Sequence, residues 1–247
     1  MAVHLQSGPL HHLSKPRILA DKARLRRKFL SRREALRPEA AETHSQAIVQ
    51  RFWRLQAVRN LQKRLRSGSP VWLSCYVDFG LEVRTRALLR KALARGYRVA
   101  VPVVPAGRGA KLFLSEIKDL PGGRDSGPMS WVRTAFGVLE PRHPRPVETE
   151  NIDFFVVPGL AFDGKGIRLG FGKGYYDGLL ASARADAQRI GLAFSCQMED
   201  RIPRDEWDIP MHRVVTEVGV IRCDAHVHRY SIPTTTNESP EEVIHCV

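Results

Sequence analysis

The sequence lacks the features that mark several special classes of protein. Its four cysteines lie far apart and form no CxxC pair, which fits reduced thiols better than a disulfide framework. No apolar run approaches the roughly 20 residues that span a bilayer, and no signal peptide is evident. Internal repeats are absent as well. These absences argue against a disulfide-rich module, a membrane-spanning protein and a repeat array, and they predict a cytoplasmic location.

Acidic residues are scarce relative to basic ones. The chain has 39 Lys and Arg against 26 Asp and Glu, which gives a formal net charge of +13. A basic surface attracts nucleic acid, acidic membranes, or small substrates that carry phosphates and carboxylates. Charge alone does not choose among these partners, and the excess could equally be arginine that is solvated on helix surfaces.

What is present is an ordinary globular composition arranged as strands and helices. With 247 residues, 43% of them hydrophobic, the chain is long enough for one large domain. Apolar periodicity and Gly or Pro breaks predict its elements. The predicted helices cover 20–36, a segment that begins at Pro38, 83–95 and 175–184. The predicted strands cover 71–76, 97–103, 111–117, 154–157, 189–194 and 214–221, with a loop-dominated stretch over 118–150.

This order of elements predicts the fold class. The alternation of strands and helices at this spacing is typical of an α/β protein with a three-layer, Rossmann-like fold. In such a fold, helices cover both faces of a mainly parallel central sheet. We expect residues 20–222 to form this domain, between a mobile N-terminal extension over 1–19 and a C-terminal extension over 223–247.

A glycine-rich segment between a strand and a helix carries the chemistry. Five glycines fall within residues 164–174, where backbone N–H groups and a helix N-terminus together form an anion-binding turn. Arg168 and Lys173 add full positive charges, and Asp177 is placed to hold a hard cation such as Mg²⁺. The spacing fits neither a P-loop nor a dinucleotide fingerprint. The alternative is a tight turn with no ligand.

Residues 157–177, VPGLAFDGKGIRLGFGKGYYD, resemble the signature of the 5-formyltetrahydrofolate cyclo-ligase family, also called 5,10-methenyltetrahydrofolate synthetases. Other blocks are similar to the family in the same order. They are KARLR at 22–26, EVRT at 82–85, FGVLEP at 136–141, and DIP at 208–210 followed by VVTE at 214–217. His212 stands where the family usually has a second acidic residue, so no metal role is assigned to it.

The resemblance implies an ATP- and Mg²⁺-dependent ligase that converts 5-formyltetrahydrofolate to 5,10-methenyltetrahydrofolate through a phosphorylated formyl intermediate. It also implies a monomer without a nucleic-acid or membrane partner. Carried over residue by residue, the family's site gives three sets. ATP would be bound by Lys22, Arg26, Arg168, Leu169, Gly170, Phe171, Gly172, Lys173, Gly174, Tyr175 and Tyr176; the folate by Val77, Glu82, Gly172, Lys173, Gly174, Tyr175 and Tyr176; and Mg²⁺ by Asp177 and Asp208.

Two other functions compete with this one. A basic nucleic-acid-binding protein on a related fold would keep the charge but would not need Lys22, Arg168, Lys173 and Asp177 together, and no RNA-binding string is present. A sugar-phosphate isomerase or acyl-CoA enzyme would bind phosphate at a glycine turn but would need a general base, for which we find no motif. Both hypotheses are weaker than the ligase.

Overall fold

The structure is a computed structural model that describes residues 15–105, 107, 109–121, 130–134 and 137–223. Its α-helices are α1 (Lys15–Glu34), α2 (Pro38–Arg54), α3 (Gln56–Arg66), α4 (Arg86–Ala94) and α5 (Tyr175–Ala181). Its strands are β1 (Trp72–Cys75), β2 (Arg98–Val103), β3 (Phe113–Ile117), β4 (Trp131–Arg133), β5 (Leu139–Pro141), β6 (Pro146–Val147), β7 (Phe154–Val157), β8 (Ala161–Asp163), β9 (Arg168–Leu169), β10 (Gln188–Leu192), β11 (Met198–Glu199), β12 (Arg213–Val215) and β13 (Val220–Arg222). Single 3₁₀ turns cover Thr149–Asn151 and Ser195–Gln197.

An eight-stranded sheet forms the centre, in the order β13-β12-β10-β7-β1-β2-β3-β6. The strands from β12 to β2 run parallel to one another. Towards the edges the pairing is antiparallel, between β12 and β13, between β2 and β3, and between β3 and β6. β7 reads FFVV and is buried throughout, as expected for a strand covered on both faces. The predicted mainly parallel sheet is confirmed.

Helices cover both faces of this sheet. Alternate residues of each strand face opposite sides, so Phe154 joins the core beneath α2, α3 and α4. Its neighbour Phe155 joins the core on the other face with Leu179 and Leu180 of α5. The three-layer α/β arrangement is therefore as predicted.

α1 packs apart from these two cores. Leu25 and Phe29 contact Leu160, Ala161 and the residues around them, next to a small sheet in the order β11-β8-β9. α1 therefore lies against the glycine-rich segment rather than against the main sheet, and this position brings its basic residues to the functional site.

Two element predictions need correction. Residues 214–221 form no single strand, because Thr216 and Gly219 make a turn between β12 and β13. The 118–150 stretch contains β4, β5 and β6. Pairing between strands, which apolar periodicity does not report, decides both cases. The predicted helix start at Pro38 is confirmed; this helix ends at Arg54, and α3 follows as a separate helix.

The domain boundaries stay predictions, since residues 1–14 and 224–247 lie outside the described residues. One detail differs at the N-terminal boundary. α1 begins at Lys15, so residues 15–19 of the expected extension are helical.

Candidate functional site

A cavity of about 920 Å³ opens at the carboxyl ends of the parallel strands. Ligands of open α/β sheets bind at this edge. Its wall combines α1, the segments that follow β1, β2 and β7, the turn around residues 205–209, and the whole of 168–178. Every residue assigned to the site from the sequence lines this one cavity. The structure thus brings together segments that are far apart in the chain.

The glycine-rich segment is shaped by backbone conformations that favour glycine. Gly172 and Gly174 have φ of 94° and 67°, and Gly174 directly precedes α5. At Gly166, φ is 79° and a Cβ atom would lie 2.3 Å from the Met211 carbonyl oxygen, so a side chain there would clash. The buried carboxylate of Asp163 accepts hydrogen bonds from three backbone N–H groups, those of Lys165, Ile167 and Ile202. Asp163 therefore fixes the turn that presents residues 170–174, which we call the glycine loop.

Helix α1 holds two walls of the cavity in place. The Arg26 Nε donates a hydrogen bond to the Gly170 carbonyl at 2.9 Å. One turn earlier, the Lys22 Nζ lies 2.5 Å from the Asp208 carboxylate, which also accepts the Asp205 N–H. Because residues four apart share a helix face, one side of α1 contacts the glycine loop and the 205–208 turn at once.

Arg168 and Asp177 form a second ion pair at the cavity. Their atoms Nη2 and Oδ2 are 2.9 Å apart, and the other carboxylate oxygen of Asp177 accepts the Ile209 N–H at 3.3 Å. Arg168 is buried and lies over the Tyr176 ring at 5.4 Å. Its Nε has no hydrogen-bond partner within the described part of the chain, which leaves a buried donor beside the cavity.

Asp177 and Asp208 are side chains of a type that binds metal ions, but two are too few to form a complete metal site by themselves. Both are carboxylates that line the cavity. Within the described ranges, no three His, Cys, Asp or Glu side chains group as metal ligands. Mg²⁺, however, is commonly bound through one or two carboxylates together with substrate phosphates and water. The residues therefore fit a magnesium ion that arrives with a nucleotide, and they do not form a closed cage of protein ligands.

Glu82 lies on another wall of the cavity, in a turn after β1. Its carboxylate accepts a hydrogen bond from the Phe79 N–H at 3.1 Å. Burial raises the pKa of Glu82 to about 7, against the opposing effect of the Phe79 hydrogen bond and the charge of Arg33. A carboxyl group with such a pKa titrates near neutral pH and can either accept or donate a hydrogen bond.

Both tyrosines of the loop, Tyr175 and Tyr176, line the cavity and also pack against the core. Burial raises the pKa of Tyr176 well above its usual range, and the charge of Glu82 adds to this effect. Tyr176 thus lies near enough to Glu82 to feel its charge.

Sequence reasoning assigned no role to several cavity residues, among them Phe79, Trp207 and Glu140. Phe79 and Trp207 are large hydrophobic side chains that are 43% and 69% exposed. Glu140 is buried there, accepts the Val104 N–H at 3.1 Å, and has its pKa raised by burial. Trp207 directly precedes Asp208, and Glu140 belongs to the FGVLEP block, so both positions carried a signal. Nothing local marks Phe79.

Several residues of the quoted blocks lie elsewhere. Glu217 accepts hydrogen bonds from Ser195 and does not line the cavity. His212 contacts the Arg189 backbone and guanidinium, and burial lowers its pKa to about 4. It also lies outside the cavity wall. Phe136, the first residue of the FGVLEP block, falls outside the described residues.

A cavity at the carboxyl edge of a parallel sheet, bordered by a glycine loop and several cations, defines an α/β protein with a small-molecule site. The model of the 5-formyltetrahydrofolate cyclo-ligase family matches residues 18–217. The chain therefore belongs to this family of ring-forming ligases.

Individual relatives agree with this assignment. A 5-formyltetrahydrofolate cyclo-ligase from Mycolicibacterium smegmatis is 35% identical over 179 residues, 66% of this chain and 89% of the relative. One from Escherichia coli K12 is 29% identical over 191 residues, 75% of this chain and 94% of the relative. The solved structure of Aquifex aeolicus 5,10-methenyltetrahydrofolate synthetase superposes with a TM-score of 0.66 and 31% identity, covering 85% of this chain and 96% of that one.

Proposed function

We propose that this protein converts 5-formyltetrahydrofolate and ATP to 5,10-methenyltetrahydrofolate, ADP and phosphate. One observation carries the proposal. Helix α1 brings Lys22 and Arg26 against the glycine loop and the 205–208 turn, and the same cavity presents the carboxyl group of Glu82 on another wall. A site for a polyanion and a site for a neutral hydrogen-bonding ring thus share one space.

The nucleotide belongs at the cationic wall. Lys22, Arg26, Arg168 and Lys173 all line the cavity there, and charge-assisted hydrogen bonds from such groups suit phosphate oxygens. Residues 168–176 would surround the triphosphate, with backbone N–H groups of the glycine loop as additional donors. Lys22 and Arg168 are paired with aspartates, and phosphate would be a competing partner for both.

The folate belongs between Glu82 and the loop. A pterin ring carries N–H donors that match a carboxylate, and Val77 supplies an apolar wall beside Glu82. Tyr175 and Tyr176 offer flat faces on which the ring could stack. A volume of about 920 Å³ is near the upper end of the roughly 300–1,000 Å³ of small-molecule pockets, as a site for two ligands requires.

The proposed chemistry activates a poor leaving group. The formyl oxygen attacks the γ-phosphorus, the bond from that phosphorus to the bridging oxygen breaks, and ADP leaves. N10 then attacks the formyl carbon and loses its proton, and phosphate departs from that carbon as the ring closes. Phosphoryl transfer depends on positioning and on charge neutralisation. Lys22, Arg26, Arg168 and Lys173 would supply both at the phosphate oxygens.

Magnesium, when bound, would neutralise phosphate charge and orient the triphosphate. Asp177 and Asp208 are the side chains that would hold it. Since both are ion-paired with cations of the cavity wall, we expect magnesium binding to release Lys22 and Arg168 to the phosphates.

Activity as a monomer stays a prediction. Among the described residues, no helix is both long and apolar enough to cross a membrane. A cytoplasmic location and the lack of a nucleic-acid partner stay predictions.

The decisive experiment mixes the purified protein with 5-formyltetrahydrofolate and Mg-ATP and follows the near-UV absorbance of the methenyl product. We expect product formation that requires all three components. If there were neither product nor folate binding, the proposal would be wrong. Asp177→Asn should lower activity and change its Mg²⁺ dependence, whereas Asp186→Asn at an exposed site away from the cavity should not. Unchanged Mg²⁺ dependence in Asp177→Asn would refute the metal assignment alone.

A further inference from the structure

One face of α1 continues past the nucleotide wall. Lys22, Arg26, Phe29 and Arg33 follow one another at intervals of three and four residues, so they lie on the same side of the helix. Lys22 and Arg26 line the cavity, and Phe29 is fully buried in the packing of α1. Arg33 ends this stripe, three turns from Lys22, and has no part in the chemistry described above.

Arg33 is an unusual arginine because it is buried, with 4% of its surface exposed. Its Nε donates a hydrogen bond to the Leu81 carbonyl at 3.0 Å. Its Nη1 is buried without a hydrogen-bond partner among the residues that the structure describes. Burial lowers the pKa of Arg33, and the charge of Glu82 is the largest effect that opposes this. A buried cation is costly unless an opposite charge compensates it, and the charge of Glu82 is the largest compensating effect on Arg33.

The Leu81 carbonyl belongs to the turn that presents Glu82. Within it, the Glu82 N–H donates to the Phe79 carbonyl at 3.2 Å, and the Phe79 N–H donates to the Glu82 carboxylate at 3.1 Å. The turn is thus closed on itself, and Arg33 is its attachment to α1. The charged and titratable groups that face Glu82 are Arg33, Arg84, Asp78, Tyr76, Tyr176 and Cys75.

We propose that Arg33 is a positioning residue for the folate, which holds the Phe79–Glu82 turn through the Leu81 carbonyl and thereby orients the Glu82 carboxyl group in the cavity. The inference rests on the proposed function, since it assumes that Glu82 binds folate. It makes α1 the element that contacts both ligand sites, through Lys22 and Arg26 at one end and Arg33 at the other.

A double-mutant cycle separates this role from a general structural one. Arg33→Gln should raise the KM for 5-formyltetrahydrofolate by about tenfold, within the range of coupling seen between groups of one network. The KM for ATP should change less than about twofold, because Lys22 and Arg26 stay in place. In a Glu82→Gln background, the same Arg33→Gln change should have less than about a twofold effect on the folate KM. An equal effect in both backgrounds, or an equal rise in the ATP KM, would overturn the proposal.

The pH dependence provides a second readout. Because the positive charge of Arg33 lowers the pKa of Glu82, Arg33→Gln should move the acid limb of kcat/KM for folate to higher pH. Arg33→Lys, which keeps the charge, should keep the wild-type limb. If Arg33→Gln does not fold by circular dichroism, Arg33→Met, which also removes the charge, replaces it in the cycle. Arg32→Gln, an exposed neighbour on the same helix, is the matched control and should match the wild type.

The two hypotheses fail in different ways. If the wild-type protein makes no methenyl product, the proposed function is wrong. If the wild type is active and the acid limb of Arg33→Gln does not move, only the role of Arg33 is wrong.

Discussion

The two ends of the parallel sheet both carry aspartates paired with basic side chains, yet they use these pairs differently. At the amino end, Asp153 is 4% exposed and accepts hydrogen bonds from the Trp72 N–H and Arg184. Arg64 pairs with it as well, at 2.6 Å. At the carboxyl end, Asp177 and Asp208 are also paired, but they face the cavity.

The two ends differ in whether their aspartates are still accessible to a ligand. Asp153 is enclosed by its partners and closes the bottom of the sheet, so its interactions serve stability. The cavity aspartates keep one side open, and their cationic partners could turn to phosphate. An Asp–Arg pair therefore does not mark a functional site by itself. Whether it can serve a ligand depends on which end of the parallel strands it occupies.

The largest effect should follow a change at the carboxyl end. Lys173→Ala removes an exposed cation of the glycine loop, and loss of one charge-stabilising group typically costs about 2.7–4 kcal/mol of transition-state stabilisation, or roughly 10²–10³ in kcat. The thermal unfolding midpoint should not change. Lys165→Ala, an exposed lysine of the same segment outside the cavity, should keep full activity. Equal losses in both variants would contradict the assignment.

Asp153→Ala should show the reverse behaviour at the amino end. It leaves the buried Trp72 N–H without its acceptor and removes the partner of two arginines, so we expect the free energy of unfolding to fall by about 3 kcal/mol. kcat and both KM values of the folded protein should match the wild type. Denaturant unfolding measures the loss, with Asp186→Ala, at an exposed partner of Arg184, as the control. A loss of activity without a loss of stability would break the comparison.

A smaller effect should appear in the pH dependence of stability. The pKa of Glu82 is raised to about 7, so its contribution to the free energy of unfolding is present at low pH and is lost as pH rises from about 4.5 to about 7. The pKa of His212 is lowered to about 4, so its contribution is present above about pH 6.5 and is lost as pH falls toward about 4. Between about pH 4.5 and about pH 6.5, the Glu82 and His212 contributions therefore change the free energy of unfolding in opposite directions.

Variants separate the two contributions. In Glu82→Gln, the free energy of unfolding should fall more steeply than in the wild type as pH is lowered. In His212→Asn, it should fall less steeply. Each change should be on the order of 2 kcal/mol once solvent screening is allowed for. Denaturant unfolding at pH 4.5, 5.5, 6.5 and 7.5 measures the slopes. Parallel curves for wild type and both variants would show that neither group has a shifted pKa.

The smallest effect should come from the mouth of the cavity. Trp207 is 69% exposed and lines it, and stacking of an aromatic ring on a ligand contributes about 0.5–1.5 kcal/mol. Trp207→Ala should therefore raise the KM for one of the two substrates by about fivefold, whereas Trp207→Phe should largely preserve it. Val218→Ala, another exposed apolar site that is away from the cavity, should leave both KM values as in the wild type.

Local pattern predicted most of the fold. β7 is a run of four apolar residues, and its predicted limits, 154–157, are those observed. The predicted strand over 214–221 was wrong, because the Thr216–Gly219 turn reverses the chain and sends β13 back along β12. An apolar run reports burial and not direction, so a short hairpin and a single strand look alike.

The candidate site shows the same division. Every residue assigned through the family blocks lines the cavity, since the motifs record which side chains share a site. Phe79 and Glu140 belong to no motif that assigned them a role, and only their three-dimensional position shows that they line the same wall.

By itself, the sequence determined the α/β class, the family and the glycine loop, because each of these depends on residues close together in the chain. Glycines are favoured where φ is positive, as at Gly172 and Gly174, and this requirement is local. Only the tertiary structure decided that Phe79 and Glu140 line the cavity and that Arg33 is buried beneath the Glu82 turn. The physical reason is distance along the chain: Lys22 and Asp208 are 186 residues apart in sequence, and packing alone brings them within a hydrogen bond.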